Sequence, residues 1–235
     1  MIWRRQPRSA SHMKTADHKA GHYQSFLAPA EQRLVRAIVI ELPESVTPLQ
    51  LTRIGLFGAC VAAMALVGCR WSALWMPLIP LGVFLNWFGA ALDGRLAQHR
   101  KTADPQLGLV EHTFDLFSQI LLIVAFGASP FLSIESAFVV LICYLLFSAY
   151  TYIRAIVRHV QQMAYIGLGA TEFRLLMALW PFAAHAMGID ETNDVGVSRL
   201  DAAIMILAGL AICGLAIKAL SDARRVAMDE SGRGV

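Results

Sequence analysis

Long apolar runs recur along almost the whole chain, and they constrain its fold more than any other feature. A helix needs about 20 mostly apolar residues to cross a bilayer, because its backbone amides must be satisfied inside the hydrocarbon. Runs of that kind are predicted over residues 51–69, 72–94, 107–127, 131–154, 172–188 and 200–219. Composition agrees: 57% of the 235 residues are hydrophobic and 16% charged, against about 25% charged in soluble domains. The expectation is an all-α integral membrane protein, a bundle of six transmembrane helices. Pro77 and Pro80 are expected to kink the second span and Pro181 the fifth, since proline removes an amide donor and crowds the preceding turn.

The net charge of +3 is too small to argue for nucleic-acid binding, and its distribution speaks to orientation instead. With an even number of spans, both termini share one side. That side receives Arg95, Arg100, Lys101, Arg154, Arg158 and the basic ends, whereas Arg70 and Arg199 fall opposite, beside Asp190, Glu191 and Asp194. Both termini are therefore expected in the cytoplasm of a bacterial-type inner membrane, with the turn near residues 189–195 facing outward.

Residues 1–22 read as a flexible polar arm, with Met13 as an alternative start and no apolar core of a signal peptide. Residues 23–46 read as an amphipathic helix lying on the cytoplasmic leaflet, followed by a Pro-bounded turn. Leu34, Ala37 and Ile38 form its expected apolar face. The spans occupy 47–221 and a cytoplasmic tail 222–235. Cys60, Cys69, Cys143 and Cys213 lack metal-ligand spacing and are expected to be reduced, small apolar side chains.

Acids placed against apolar runs need a reason, because an acid at the centre of a membrane helix costs about 2.5–3.5 kcal/mol on insertion scales. Asp93 ends the second span and Glu111 and Asp115 begin the third, so all three meet at one end of the bundle. Glu111 and Asp115 are four residues apart and share a helix face, as do Asn86, Ala90 and Asp93 on the preceding span. Carboxylates without His or Cys suit a hard cation, Mg²⁺ or Mn²⁺, bound jointly with substrate phosphates. Gly94 would let a ligand approach the backbone. A structural role is the competing reading, with an acid paired to Arg95 or Arg100.

The stretch "GAALDGRLAQHRKTADPQLGLVEHTFD" resembles the signature of the CDP-alcohol phosphotransferase family. Asp93-Gly94 and Ala97 match its middle, and Glu111 and Asp115 match the spacing of its last two acids. "SFLAPAEQRLVRAIVIELPESVTPLQLTRIG", "LNWFGAALDG" and "GLGATEFRLL" are similar to stretches flanking that signature in bacterial members. The resemblance implies six transmembrane helices, often paired as a homodimer. It also implies transfer of a substituted phosphate from a CDP-linked lipid donor to an acceptor alcohol, with release of CMP. By matched position, Asp93, Glu111 and Asp115 would hold metal, and Asp115 would also serve as base. Gly94 and Ala97 would line the nucleotide site. Glu172 and Arg174 carry a lesser claim: at a cytoplasmic helix end Arg174 would contact a donor or acceptor phosphate, with an interfacial anchor or an ion pair at the start of the fifth span as the competing reading. Ala90 and Gln98 replace the family's first Asp and its Arg, and Leu107 stands at its Gly. His112 reads as a polar neighbour. These departures keep a second reading open, that of a catalytically silent membrane relative with an interaction or regulatory role.

Overall fold

A computed structural model of the chain describes residues 26–102, 105–158, 169–189 and 194–231. These form seven α-helices and one short 3₁₀ turn, with no strand among the described residues. The helices are α1 (Ala28–Glu41), α2 (Pro48–Gly68), α3 (Leu78–His99), α4 (Pro105–Gly127), α5 (Ile134–Arg158), α6 (Ala170–Ala186) and α7 (Asp194–Ser231). Five helical segments are long and apolar enough to cross a membrane, the mark of a membrane protein. α6, expected as a further span, has 17 residues.

Local chemistry sets the ends of the helices that carry the acids. Thr47 caps α2, accepting from the Gln50 amide at 3.3 Å while the Gln50 side chain accepts from the Thr47 amide at 2.9 Å. Pro48 follows as first residue, where no amide donor is needed. The expected mid-helix kink at Pro77 and Pro80 does not occur. Pro77 stands just outside α3 and Pro80 in its first turn, preceded by the 3₁₀ turn Ala73–Trp75. At the other end of α3, Lys101 takes a left-handed conformation with φ of 55°. Its amide donates to the Gln98 carbonyl at 3.2 Å and the Thr102 amide to that of Ala97 at 2.9 Å. This closing motif reverses the chain into α4, so Asp93 and Glu111 lie at the same end of the bundle.

The tightest seam runs between α2 and α3. A Cβ on Gly58 would lie 2.5 Å from the Asn86 amide nitrogen and 2.6 Å from the Gly82 carbonyl oxygen, so only glycine lets these backbones meet. Around the seam, Ala59, Ala62, Leu66, Ile79, Leu122 and Ile123 form the core. α4 packs on α2 and α5, α6 on α3, and α7 on α5. A second cluster seats Val35 and Val39 of α1 against Leu51, Leu92 and Leu96. Val35 and Val39, with Ile38 half-buried, are therefore the inward face of α1, while Leu34 and Ala37 are exposed. The spacing alone did not fix which side of the helix meets α3. Phe57, Phe84, Phe117, Leu179 and Leu210 face outward, the arrangement expected of helices whose solvent is lipid.

α7 runs ten residues past the 221/222 boundary drawn from hydropathy, to Ser231. Asp222 is buried there because α5 and its own helix neutralise it. Tyr150 Oη donates to it at 2.6 Å, Arg154 Nε lies at 3.0 Å and Lys218 Nζ at 3.3 Å. At the opposite end of the pair, Asp201 accepts from Ser133 Oγ at 2.5 Å and Ser136 Oγ at 2.6 Å. The four cysteines are free. The N-terminal arm with Met13, the segment 190–193, and Gly167 and Leu168 of the fifth-span resemblance lie outside the described residues.

Candidate functional site: an acid cluster clasped by Arg174

Asp93 sits in the last turns of α3, facing α2, and is buried with 6% of its surface exposed. Its Oδ2 accepts from Thr52 Oγ1 at 2.9 Å and its Oδ1 from the Gly94 amide at 2.7 Å. Thr52 is itself buried, one turn into α2. Its hydroxyl satisfies an acid that apolar packing alone would expel.

Glu111 reaches across from the second turn of α4. A Cβ on Gly94 would lie 3.3 Å from Glu111 Oε2, with no other atom in reach. The absent side chain therefore makes the space in which that carboxylate stands. Glu111 Oε1 is sealed from solvent and has no hydrogen-bond partner among the described residues. Glu111 and Asp115 stand at the same end of the bundle as Asp93 and act on it electrostatically.

Asp115, one turn further along α4, is ion-paired with Arg174 of α6 through Oδ1 and Nη2. Arg174 is 6% exposed and is held from two further sides. Its Nε donates to Asn86 Oδ1 at 3.0 Å, and Asn86 in turn donates to the Gly55 carbonyl at 3.1 Å. With the Gln119 amide turned so that its oxygen faces Arg174, that oxygen accepts from Nη2 and Nε, each at 3.2 Å. The competing structural pairing with Arg95 or Arg100 is thus replaced by one with Arg174. Arg100 is spent elsewhere, its guanidinium donating to the carbonyls of Leu42, Pro43, Glu44 and Val46 in the turn before α2. Arg95 is exposed.

Of the other candidate residues, Ala97 is buried and its carbonyl accepts the Thr102 amide that closes α3. His112 is exposed and meets the Tyr152 ring edge-on at 6.4 Å between centroids, a polar neighbour beside the cluster. Glu172 caps α6 by accepting from the Gly169 amide at 2.9 Å, and it also takes the Leu27 amide at 2.8 Å. Sequence reasoning missed Thr52, Gln119 and Glu31. Gln119 stands four residues after Asp115, on the same helix face, and could have been found that way. Thr52 carries no such signal. Glu31 accepts from Trp87 Nε1 at 2.8 Å and from Thr171 Oγ1 at 2.7 Å. It thereby ties α1 to the start of the helix that bears Arg174.

No protein-family model, curated protein or solved structure matches the chain. The chemistry of the cluster must therefore be weighed on its own residues. Among the described residues, no three His, Cys, Asp or Glu side chains are grouped so as to hold a metal ion by themselves. Asp93 and Glu111 do present hard oxygen donors, with one oxygen orphaned and a glycine cradle beside it. Such a pair fits Mg²⁺ or Mn²⁺, which bind through one or two carboxylates and take further ligands from water and substrate phosphates. The first Asp of the resembling signature is absent at Ala90, which stands one turn before Asp93 with its amide against Gly55.

Proposed function

We propose that the chain is a divalent-cation-dependent membrane transferase of phospholipid synthesis. It would pass a substituted phosphate from a CDP-linked lipid donor to an acceptor alcohol and release CMP. The observation that carries this reading is the placing of Asp93, of Glu111 beside Gly94, and of Asp115 on a buried arginine at one end of an apolar bundle. Groups of this kind, oxygen donors for a hard cation and a fixed guanidinium for phosphate oxygens, serve phosphoryl transfer. Asp93 and Glu111 would hold Mg²⁺ or Mn²⁺, which when bound offsets phosphate charge at the leaving group. Arg174, kept in place by Asn86 and Gln119, would orient the phosphate. Asp115 would accept the proton of the acceptor hydroxyl at its second oxygen. The hydroxyl oxygen then bonds to phosphorus as the phosphorus–oxygen bond to CMP breaks. Gly94 would leave room for the donor beside Glu111, and Ala97 would back that wall.

The same reading takes α6 as the fifth of six spans and α1 as a helix lying on the cytoplasmic leaflet. Both termini would be cytoplasmic, and the chain would pair as a homodimer in a bacterial-type inner membrane. The lopsided placement of Lys and Arg supports the orientation.

The test is direct. Purified protein is incubated with CDP-diacylglycerol, Mg²⁺ or Mn²⁺ and a panel of alcohols, and CMP is measured. CMP release with at least one acceptor is expected. Asp115→Asn, which keeps the shape and loses the base, should abolish it. Ala90→Asp should raise metal affinity by about 10-fold or more, judged against the effect of losing even an outer partner of a metal ligand. A specific observation favours a second reading: Ala90 offers no ligand and Asp115 is already paired with Arg174. If neither the wild type nor Ala90→Asp consumes the donor with any acceptor, the chain is a silent membrane relative.

A further inference from the structure

One side chain joins three helices beside the end of the bundle that holds Arg174. Glu31, in the first turn of α1, accepts through Oε1 from Trp87 Nε1 of α3 at 2.8 Å and from Thr171 Oγ1 of α6 at 2.7 Å. The Leu27 amide just ahead of α1 donates to Glu172 Oε1 at 2.8 Å, and Glu172 Oε2 takes the Gly169 amide at the start of α6 at 2.9 Å. Thr171 and Glu172 lie within one turn of Arg174. Where α1 sits therefore bears on where the Arg174 guanidinium is held. We propose that the outer face of α1 docks on an anionic lipid surface, and that Glu31 passes this docking to α6. The inference takes from the proposed reading only that α1 lies on a leaflet, and it asks nothing of the transferase chemistry.

The two sides of α1 are used differently. Val35 and Val39 are buried against Leu51, Leu92 and Leu96, and Glu31 shares their side of the helix. On the other side Phe26, Leu34 and Ile40 are 81%, 51% and 62% exposed, with Arg33, Arg36 and Ala37 exposed among them. An apolar strip edged by arginines suits a helix at a lipid surface, because the strip enters the acyl boundary while the long side chains reach up to the headgroups. The sign of those headgroups follows from the charges nearby. Arg53, Arg95 and Lys101 are also exposed at this end of the bundle, against Glu41 and Glu44, so anionic headgroups are attracted to it. A helix held on its outer face lifts away less often. The bonds of Glu31 to Trp87 and Thr171 then break less often as well, and the first turn of α6 keeps its place.

The test is amide hydrogen exchange, read by mass spectrometry, on the full chain in nanodiscs that hold one chain each. The discs contain phosphatidylcholine alone or an equal mixture with phosphatidylglycerol. An arginine at an anionic surface is worth about 5-fold in a local opening equilibrium, so the α1 amides are expected to exchange up to about 25-fold more slowly in the anionic discs. The first turn of α6 is expected to slow with them, and high salt to remove both gains. Arg33→Gln combined with Arg36→Gln, both at exposed positions, should exchange alike in the two kinds of disc. Glu31→Ala keeps the seat of Val35 and Val39, so α1 should still answer to the lipid while α6 does not. Should Glu31→Ala fail to fold, Thr171→Val removes the same bond from the α6 side and takes its place. Equal α1 exchange in the two kinds of disc, slower than in detergent, overturns the inference and leaves α1 on a leaflet. No slowing in either disc removes both. An α6 response that survives Glu31→Ala or Thr171→Val overturns the transmission. Slowing that needs two chains per disc instead of anionic lipid makes a second copy the occupant and overturns the docking.

Discussion

Replacing Gly58 by alanine should separate the two helices on which the acid cluster depends. The new Cβ would lie 2.5 Å from the Asn86 amide nitrogen, 2.6 Å from the Gly82 carbonyl oxygen and 2.6 Å from Leu85 Cβ. Two of these three atoms are backbone, so no side-chain rotation relieves the clash. The α2–α3 seam must widen by about 0.9 Å to bring 2.5 Å up to the 3.4 Å of ordinary contact. A gap of about 0.5–1 Å forfeits a quarter to a half of each dispersion contact along it. Overpacking of this kind costs typically about 1–3 kcal/mol. The upper part of that range applies because the obstruction is backbone on both sides of the tightest seam. A loss of about 2–3 kcal/mol corresponds to a fall in Tm of roughly 4–12 °C for a chain of this size. Asn86 also holds Arg174, so moving its backbone should loosen the pair of Arg174 with Asp115 as well. Thermal unfolding in detergent, followed by circular dichroism, measures the first effect. Gly209→Ala is the control, since nothing lies within 4 Å of its Cβ and alanine favours the helix by up to about 1 kcal/mol. The reasoning fails if Gly58→Ala melts with the wild type, or if Gly209→Ala loses as much.

Arg174→Leu should destabilise by about 1–3 kcal/mol, less than for a fully buried pair, because the Asp115 side chain is 39% exposed. Adding Asp115→Leu should recover part of that loss, and a double-mutant melt that shows simple additivity would deny the coupling. Asp222→Ala removes the carboxylate that Tyr150, Arg154 and Lys218 share and should cost about 1.5–3 kcal/mol; an unchanged Tm would show that the α5–α7 contact does not rest on it. Lys101→Gly should raise Tm by about 1–4 °C, since φ of 55° is strained for lysine and open to glycine, a gain of about 0.5–1 kcal/mol. A fall in Tm there would mean that the left-handed turn is not where strain resides.

Much of the architecture was legible because its causes are local. Each apolar run reads as a helix from length alone, and α4 begins within two residues of its expected start. The placing of Asp93, Glu111 and Asp115 at one end of the bundle follows from the order of two neighbouring helices. Pro77 was misread as a kink because a proline signal marks a helix start as well as a break, and only the 3₁₀ turn before it decides between them. The apolar spacing of α1 is expected to lay Leu34, Ala37 and Ile38 on the leaflet, and it is Val35 and Val39 that meet α3. Periodicity gives the stripe of a helix and leaves its rotation about the axis to the partner.

The sequence by itself determined that this is a chain of membrane-length apolar helices with three acids gathered at one end, since hydrophobic length and helical period are properties of adjacent residues. Tertiary structure decided how those acids are used. Arg174 lies 59 residues from Asp115 and 88 from Asn86, and Thr52 lies 41 from Asp93. No local spacing relates such residues. Their meeting depends on α2 and α3 closing over glycine and on α6 packing against α3, because only the packed bundle excludes water and leaves each buried charge to find its partner among the side chains that remain.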